Sequence, residues 1–449
     1  MRVAIVIPPV RDFYFTPQRA SFLGPRTLSE ILRRNRVEHR IFNAVRGRGR
    51  PIPLPGELGY LAPYLGSRHF FSGYKRFGVE DEHMARLVAD YHPSVILLSC
   101  FAFAYADDAI SLAHSLKKAL PNTPIFAGGA GISAHPEYFL RHSPVDYAVR
   151  GEVDASLVEI LNAPASFSDG GGVISDRAMS DPHSSFRPAL SPVRESSDTC
   201  YYSTMISRGC PGRCSFCSVR LGFPFHRKSS LSDVDSLFRT LEGTRKKVHV
   251  NFEDDNLMLD FDYFARVIGI LDLHTGGNYS ISMENGIDFT VLDREKLSFL
   301  KNVNITRLNI SFVSSNTSIL ARNKRCYNPD DFSEIALGAA SLSTPITAYL
   351  IAGLPGENYR SIDRGLEFLA GLPVLIGISP FYAVPHTSGF FDESVFEHIS
   401  PSTCKGTSFY PWNDCTSEEL IRIFIKARAL NIGRRPAHDG HGHVSLNYI

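Results

Sequence analysis

The apolar residues of this chain alternate between two rhythms. Arg2–Ile7, rich in Val and Ile and closed by Pro8-Pro9, reads as a strand buried on both faces. Pro25–Asn35 brings Leu28, Ile31 and Leu32 back at helical spacing, His39–Phe42 is a short second strand, and Ser94–Ser99 is another apolar run. A helix is predicted over about Ala106–Leu120, with Ala109, Ile110, Leu112, Ala113, Leu116 and Leu120 on one side. Pro124–Ala127 and Tyr147–Val149 complete the set of strands. This order predicts an α/β fold with a doubly wound, Rossmann-like parallel sheet over residues 1–162. Such sheets bind ligands outside the carboxyl ends of their strands, which here carry Pro9, Ser99, Phe101, Gly128 and Gly129. Gly47–Gly66, rich in Gly and Pro, is an insertion that reads either as a surface loop or as a wall of the site.

The rhythm lapses over residues 163–199, where Ser, Asp, Gly and Pro predict a linker, with Val173-Ile174 as a candidate edge strand. It then resumes. Strands are predicted over Tyr202–Ser207, Lys247–Phe252, Tyr279–Met283, Arg307–Phe312, Ile346–Ala352 and Val374–Ile378, with helices over Ser232–Leu241, Phe261–Leu271, Asp293–Leu300, Asp331–Ala340 and Ser361–Leu369. Six such repeats over 200–395 predict a partial (β/α)6 barrel, with its active-site candidates at the strand ends. Residues 396–449 form a mainly helical C-terminal segment, in which Leu420, Ile421, Phe424 and Ala427 recur at helical spacing.

Composition narrows the classes. The chain has 449 residues, 43% hydrophobic and 21% charged, enough for two or three domains with their own cores. A net charge of +1 argues against a polyanion-binding surface, and Arg46, Arg48 and Arg50 read as a solvated run. No stretch approaches a membrane span; the best run, Leu372 to Val384, is broken by Gly377 and Pro380. The amino terminus has too few apolar residues for a signal peptide, and eight cysteines without one predict free thiols and a cytoplasmic location. His438, His441 and His443 read as a solvated end, with a metal site as the less favoured alternative.

The sharpest chemical signal is Arg208–Cys217, which sets Cys210, Cys214 and Cys217 within eight residues around Pro211-Gly212. Thiolates suit zinc or an iron–sulfur cluster. A closed zinc site needs four ligands, and Cys100, Cys200, Cys326, Cys404 and Cys415 each stand alone. Three ligands with one open position point to chemistry rather than stapling.

The C-x3-C-x2-C spacing, with Phe252-x-Asp254-Asp255-Asn256 and Ile351-Ala352-Gly353-Leu354-Pro355-Gly356 further on, resembles the radical S-adenosylmethionine (SAM) superfamily. The resemblance implies that Cys210, Cys214 and Cys217 hold a 4Fe-4S cluster. It also implies SAM contacts from Phe216, Asp254, Asp255, Glu284, Ser311, Ile351 and Gly353. Ile7-Pro8-Pro9, Phe126-Ala127-Gly128-Gly129, His135-Pro136-Glu137 and Val149-Arg150-Gly151-Glu152 resemble the cobalamin-binding domain that precedes many radical SAM domains. That implies a cobalamin site at Pro9, Ser99, Phe101, Gly128, Gly129, Gly151 and Glu152. The Asp-x-His-x-x-Gly motif of free-standing cobalamin domains is missing.

Taken together, these readings describe a cobalamin-dependent radical SAM enzyme, similar to the class B methyltransferases. The expected reaction is methylation of an unactivated carbon of a small-molecule biosynthetic intermediate, with an electron donor such as flavodoxin or ferredoxin. Rearrangement or cyclisation without methyl transfer, and a non-catalytic sensor of cluster or cobalamin, are the alternatives. No catalytic residue is assigned from the sequence.

Overall fold

The computed structural model describes residues 1–15, 21–45, 49–154, 156–176, 179–342, 344–387 and 390–432. Arg46, Arg48 and the histidines of the tail therefore lie outside the described residues. The first sheet consists of β1 (Arg2–Ile7), β2 (Glu38–Asn43), β3 (Val95–Ser99), β4 (Ile125–Gly128), β5 (Tyr147–Arg150) and β6 (Val173–Ser175). Their order is β2-β1-β3-β4-β5-β6, and every pair is parallel.

The continuous apolar runs have a direct cause. On β1 and β3, Ala4, Val6, Ile96 and Leu98 meet Met84, Val88, Ala109 and Leu112 on one face. Val3, Ile5 and Leu97 meet Ile31, Leu32, Leu157 and Ile160 on the other. Both faces are covered by helices, so both side-chain sets must be apolar. The chain reverses direction across the sheet between β1 and β3, and the carboxyl ends open a crevice there.

The predicted linker is divided between the two sheets. Its Val173–Ser175 is β6, at the edge of the first sheet. Its Ser191–Glu195 is β7, antiparallel to β8 (Thr199–Thr204) at the edge of the second. Both strands are short and lie at sheet edges; β6 is the predicted edge strand, whereas β7 is mostly exposed and leaves no period in the sequence.

The second sheet continues through β9 (Lys247–Phe252), β10 (Tyr279–Asp288), β11 (Ile305–Val313), β12 (Ile346–Ala352) and β13 (Leu375–Pro380). From β8 onward spatial order equals chain order and all pairs are parallel, the arrangement of a partial barrel. Its helices start on side-chain caps: Asp260, Asp293, Asn328 and Asn358 each accept a hydrogen bond from a free backbone N–H of the first turn. The helix Ser417–Ile432 packs Leu420, Ile421, Phe424 and Ala427 into the barrel core. Asn431 bonds both the N–H and the C=O of Ile376, each at 2.9 Å, and so satisfies the outer edge of β13.

Arg50–Pro51 of the insertion joins Lys75–Phe77, which also pairs with Val10–Asp12, in a small antiparallel sheet. Phe70 and Phe71 pack on Phe409 and Phe424, with ring centroids 5.5 Å apart in the Phe70–Phe409 and Phe71–Phe424 pairs. Tyr60 donates to the Ser408 carbonyl at 2.8 Å. This region is thus a brace between the first domain and the C-terminal helix; no described residue of the 47–66 insertion lines the cavity described below. Among the described residues no helix is long and apolar enough to cross a membrane.

Candidate active site

The cysteine loop begins where β8 ends, and the end of β9 holds it in place. Asp254 is fully buried and accepts from the Ile206 N–H (3.2 Å), the Ser207 N–H (2.5 Å) and the Ser207 hydroxyl (2.6 Å). Burial pushes its carboxyl up to about 7, against the pull of these hydrogen bonds. Asp255 accepts from the Gly209 N–H at 3.0 Å and is pushed up to about 6, again by burial. Gly209 has φ +74°, and a Cβ there would lie 2.2 Å from the Phe225 carbonyl oxygen, so only glycine fits. Through these contacts Asp254 and Asp255 fix the backbone that leads into Cys210. Asp254→Ala is expected to leave buried N–H groups unpaired, at a cost of about 1–3 kcal/mol. Reconstituted protein carrying this substitution is expected to hold less than about half the iron of the parent, measured by iron per chain; unchanged iron would show that the loop holds itself.

Within the loop, the Gly212 N–H points at the Cys210 sulfur at 3.4 Å. Burial is the main influence on the Cys217 thiol, which stands at about 11, and Cys210 and Cys214 add to it. The Arg325 guanidinium lies 3.9 Å from Cys214 and is held by Asp288 at 2.5 and 3.0 Å. Cys210, Cys214 and Cys217 are free thiols on one loop, a donor set that suits an iron–sulfur cluster.

A cavity of about 1080 Å³ lies between the strand-end faces of the two sheets. Ser99, Phe101, Gly128, Gly129, Gly151 and Glu152 line it from the first domain, and Phe216, Glu284, Ser311 and Ile351 from the barrel. A Cβ added to Gly128 would meet nothing closer than Val149 at 3.9 Å, so the bare backbone leaves room for a large group to approach. Among the described residues, no histidine lines this space.

Four of the residues expected to bind cofactor stand back from the cavity. Asp254 and Asp255 hold the cysteine loop, as above. Pro9 packs beneath Gly78, where an added Cβ would come within 2.9 Å of it. Gly353, at φ +86°, forms the turn after β12; its carbonyl accepts from Asn413 at 3.0 Å, and its α-carbon faces Leu420. Glu152 is at the cavity wall but is already paired, with Arg208 at 2.7 Å and with Arg227. Arg208 is itself buried and stacks on Phe186 at 4.2 Å.

Sequence reasoning missed Arg325 and Arg307, both of which reach the cavity. Arg307 faces Glu284 at 3.4 Å, and burial raises the Glu284 carboxyl. Arg325 follows a short helix beyond β11, outside any strand end, so its position gives no signal.

Two family matches cover this architecture. Residues 57–161 match the B12 binding domain, and residues 204–369 match the Radical SAM superfamily, taking in all three cysteines. The chain carries a B12-binding domain followed by a radical SAM domain. Its curated relatives include the hopanoid C-3 methylase of Methylococcus capsulatus, 24% identical over 324 residues. That alignment takes in 68% of this chain and 61% of the relative, so the chain spans less than two thirds of it. Among solved structures, the radical SAM methyltransferase TsrM from Kitasatospora setae, with tryptophan substrate and a SAM analogue bound, superposes with a TM-score of 0.62. It is 14% identical, with 86% of this chain and 74% of that one covered. The cobalamin-dependent SAM radical enzyme OxsB, with aqua-cobalamin and SAM bound, gives a TM-score of 0.54 at 14% identity, over 84% of this chain and 53% of that one. These two likenesses show that the arrangement of a B12-binding sheet before a partial barrel is a shared fold.

Proposed function

We propose that this B12-binding radical SAM protein methylates an unactivated carbon of a small molecule in the cavity between its two strand-end faces. The observation that carries the reading is the single cavity itself, bounded by Gly128 and Gly129 on one side and by Phe216 of the cysteine loop on the other. Cys210, Cys214 and Cys217 would hold the 4Fe-4S cluster, Phe216, Glu284, Ser311 and Ile351 would border SAM, and Ser99, Phe101, Gly128, Gly129 and Gly151 would border cobalamin. When bound, these cofactors supply an electron, a carbon radical and a transferable methyl group.

The residues of the chain do the rest. Asp254 and Asp255 hold the loop in register, so that its sulfurs face one point. Arg325 flanks Cys214 at 3.9 Å, held in place by Asp288. Phe101, Phe216, Val313, Tyr349 and Ile378 give the cavity apolar walls that keep water from a reactive carbon centre. Confining substrate between the two faces brings reacting groups together without escape to solvent. Glu284 and Arg307 offer the polar contacts that would orient a substrate with an otherwise apolar body.

The net charge of +1 supports a small molecule over nucleic acid as substrate. All eight cysteines are free, which supports a reducing, cytoplasmic setting and an electron donor such as flavodoxin or ferredoxin. Methylation of this kind consumes SAM twice, as methyl source and as radical source. In anaerobic turnover with cobalamin supplied, S-adenosylhomocysteine and 5′-deoxyadenosine are expected to accumulate in step. Deoxyadenosine alone would favour rearrangement or cyclisation, and no loss of SAM would favour a sensor.

A further inference from the structure

Away from the cofactor cavity, the fold brings together ligand-type side chains from distant parts of the chain. His135 precedes the helix Pro136–His142, Glu137 lies in that helix's first turn, and His386 arrives from the segment after β13. One ligand atom from each lies within 4.8 Å of the other two. We propose that His135, Glu137 and His386 form a second metal site, binding one zinc-type divalent cation, separate from the cysteine cluster.

Two imidazoles and a carboxylate are a donor set that zinc takes readily, with a fourth position left to solvent. The surroundings are those of a ligating histidine. His135 is 6% exposed, and its Nδ1 is buried without a hydrogen-bond partner, 3.5 Å from Glu137 Oε2. Its Nε2 faces Glu397 Oε1 at 3.1 Å. One nitrogen is therefore engaged by a carboxylate while the other is left over, which is how a metal-bound imidazole is oriented and made a better donor.

His386 repeats the arrangement. Its Nδ1 lies 3.4 Å from Glu393 Oε2, and its ring meets that of His135 at 79° with centroids 5.3 Å apart, so the two rings do not stack. Glu393 also accepts the His386 backbone N–H at 3.0 and 3.1 Å, holding the residue at φ +60°, a conformation that non-glycine residues adopt only when held. Arg150 binds Glu137 Oε1 at 2.8 Å and leaves Oε2 toward His135. Glu137, Glu393 and Glu397 outnumber the neighbouring Arg141 and Arg150, so a cation is not repelled. A cavity of about 630 Å³ opens beside the group and gives the ion access to water. Such an ion would fasten His386 to the helix Pro136–His142, behind the Gly129–Ser133 wall of the cofactor cavity.

The test uses the cluster-loaded full chain, whose cysteines are already occupied. It is equilibrated with Zn2+ alone, desalted, and analysed for iron and zinc per chain by mass spectrometry. About one zinc per chain is expected, with iron unchanged. His386→Ala, at an exposed position, and Glu137→Gln are each expected to lower retained zinc at least tenfold while iron stays constant. Less than about a tenth of an equivalent in the parent protein would overturn the site. Equal retention in both variants, as binding to the tail histidines would give, would overturn it too. Neither outcome touches the proposed methylation, which is read from SAM coproducts rather than zinc.

Discussion

Replacing Cys210, Cys214 and Cys217 together with alanine is expected to remove all cluster iron, the visible absorbance and every turnover of SAM, while the first domain stays folded. The reason is the division of labour in the loop. Its backbone is fixed from outside, by Asp254 on Ile206 and Ser207 and by Asp255 on Gly209, so the three side chains are free to act only as ligands. Neither core on the faces of the first sheet contains any of the three cysteines. Anaerobic reconstitution of the variant, with iron and labile sulfide measured beside circular dichroism, checks both halves. Retained iron and sulfide, or a parent protein that takes up zinc without sulfide, would contradict the cluster assignment.

A second large effect is expected at Glu152. Its side chain is almost wholly buried and pairs with Arg208, which leads into the cysteine loop, and with Arg227 from the strand beside it. Burial already draws the Arg208 guanidinium down to about 10. Glu152→Gln leaves the Arg227 guanidinium in the interior without its counter-charge and Arg208 with only the more distant Asp154, at 3.9 Å. Breaking a buried pair from one side costs about 3–5 kcal/mol. On a domain of this size that is expected to lower the first thermal transition by roughly 6 °C or more. Because the pair joins the end of the first sheet to the start of the cysteine loop, iron retention is expected to fall with it. A melting shift below about 2 °C would show that water, rather than Glu152, satisfies the arginines.

Much of this is legible in the sequence, and for physical reasons. β1 is predicted over its observed span because a parallel strand covered on both faces must be apolar throughout. β9, β11, β12 and β13 are placed within two residues, whereas β8 starts three residues before the predicted strand and β10 runs five residues beyond it. The cysteine loop is legible from spacing alone. What stays hidden depends on contacts that carry no period. β7, at the edge of the second sheet, is mostly exposed and shows no apolar alternation, whereas the edge strand at Val173-Ile174 is legible. The insertion around Leu58, Leu61, Phe70 and Phe71 packs onto a helix from the far end of the chain, a partner that local reading cannot supply. Asp254 reads as a cofactor contact because carboxylates at strand ends often are, yet the local turn uses all its hydrogen-bonding capacity. Arg325 and His386 reach their places only through tertiary folding.

The central claim is that the cavity between the two faces hosts methyl transfer to carbon. The most direct test is anaerobic turnover with SAM labelled in its methyl group, using cobalamin-loaded protein and candidate small molecules with unactivated carbons. The account predicts label on carbon in the product, with S-adenosylhomocysteine and 5′-deoxyadenosine formed in step with it. An unlabelled product formed with deoxyadenosine alone would contradict methylation and leave the same cavity performing a rearrangement.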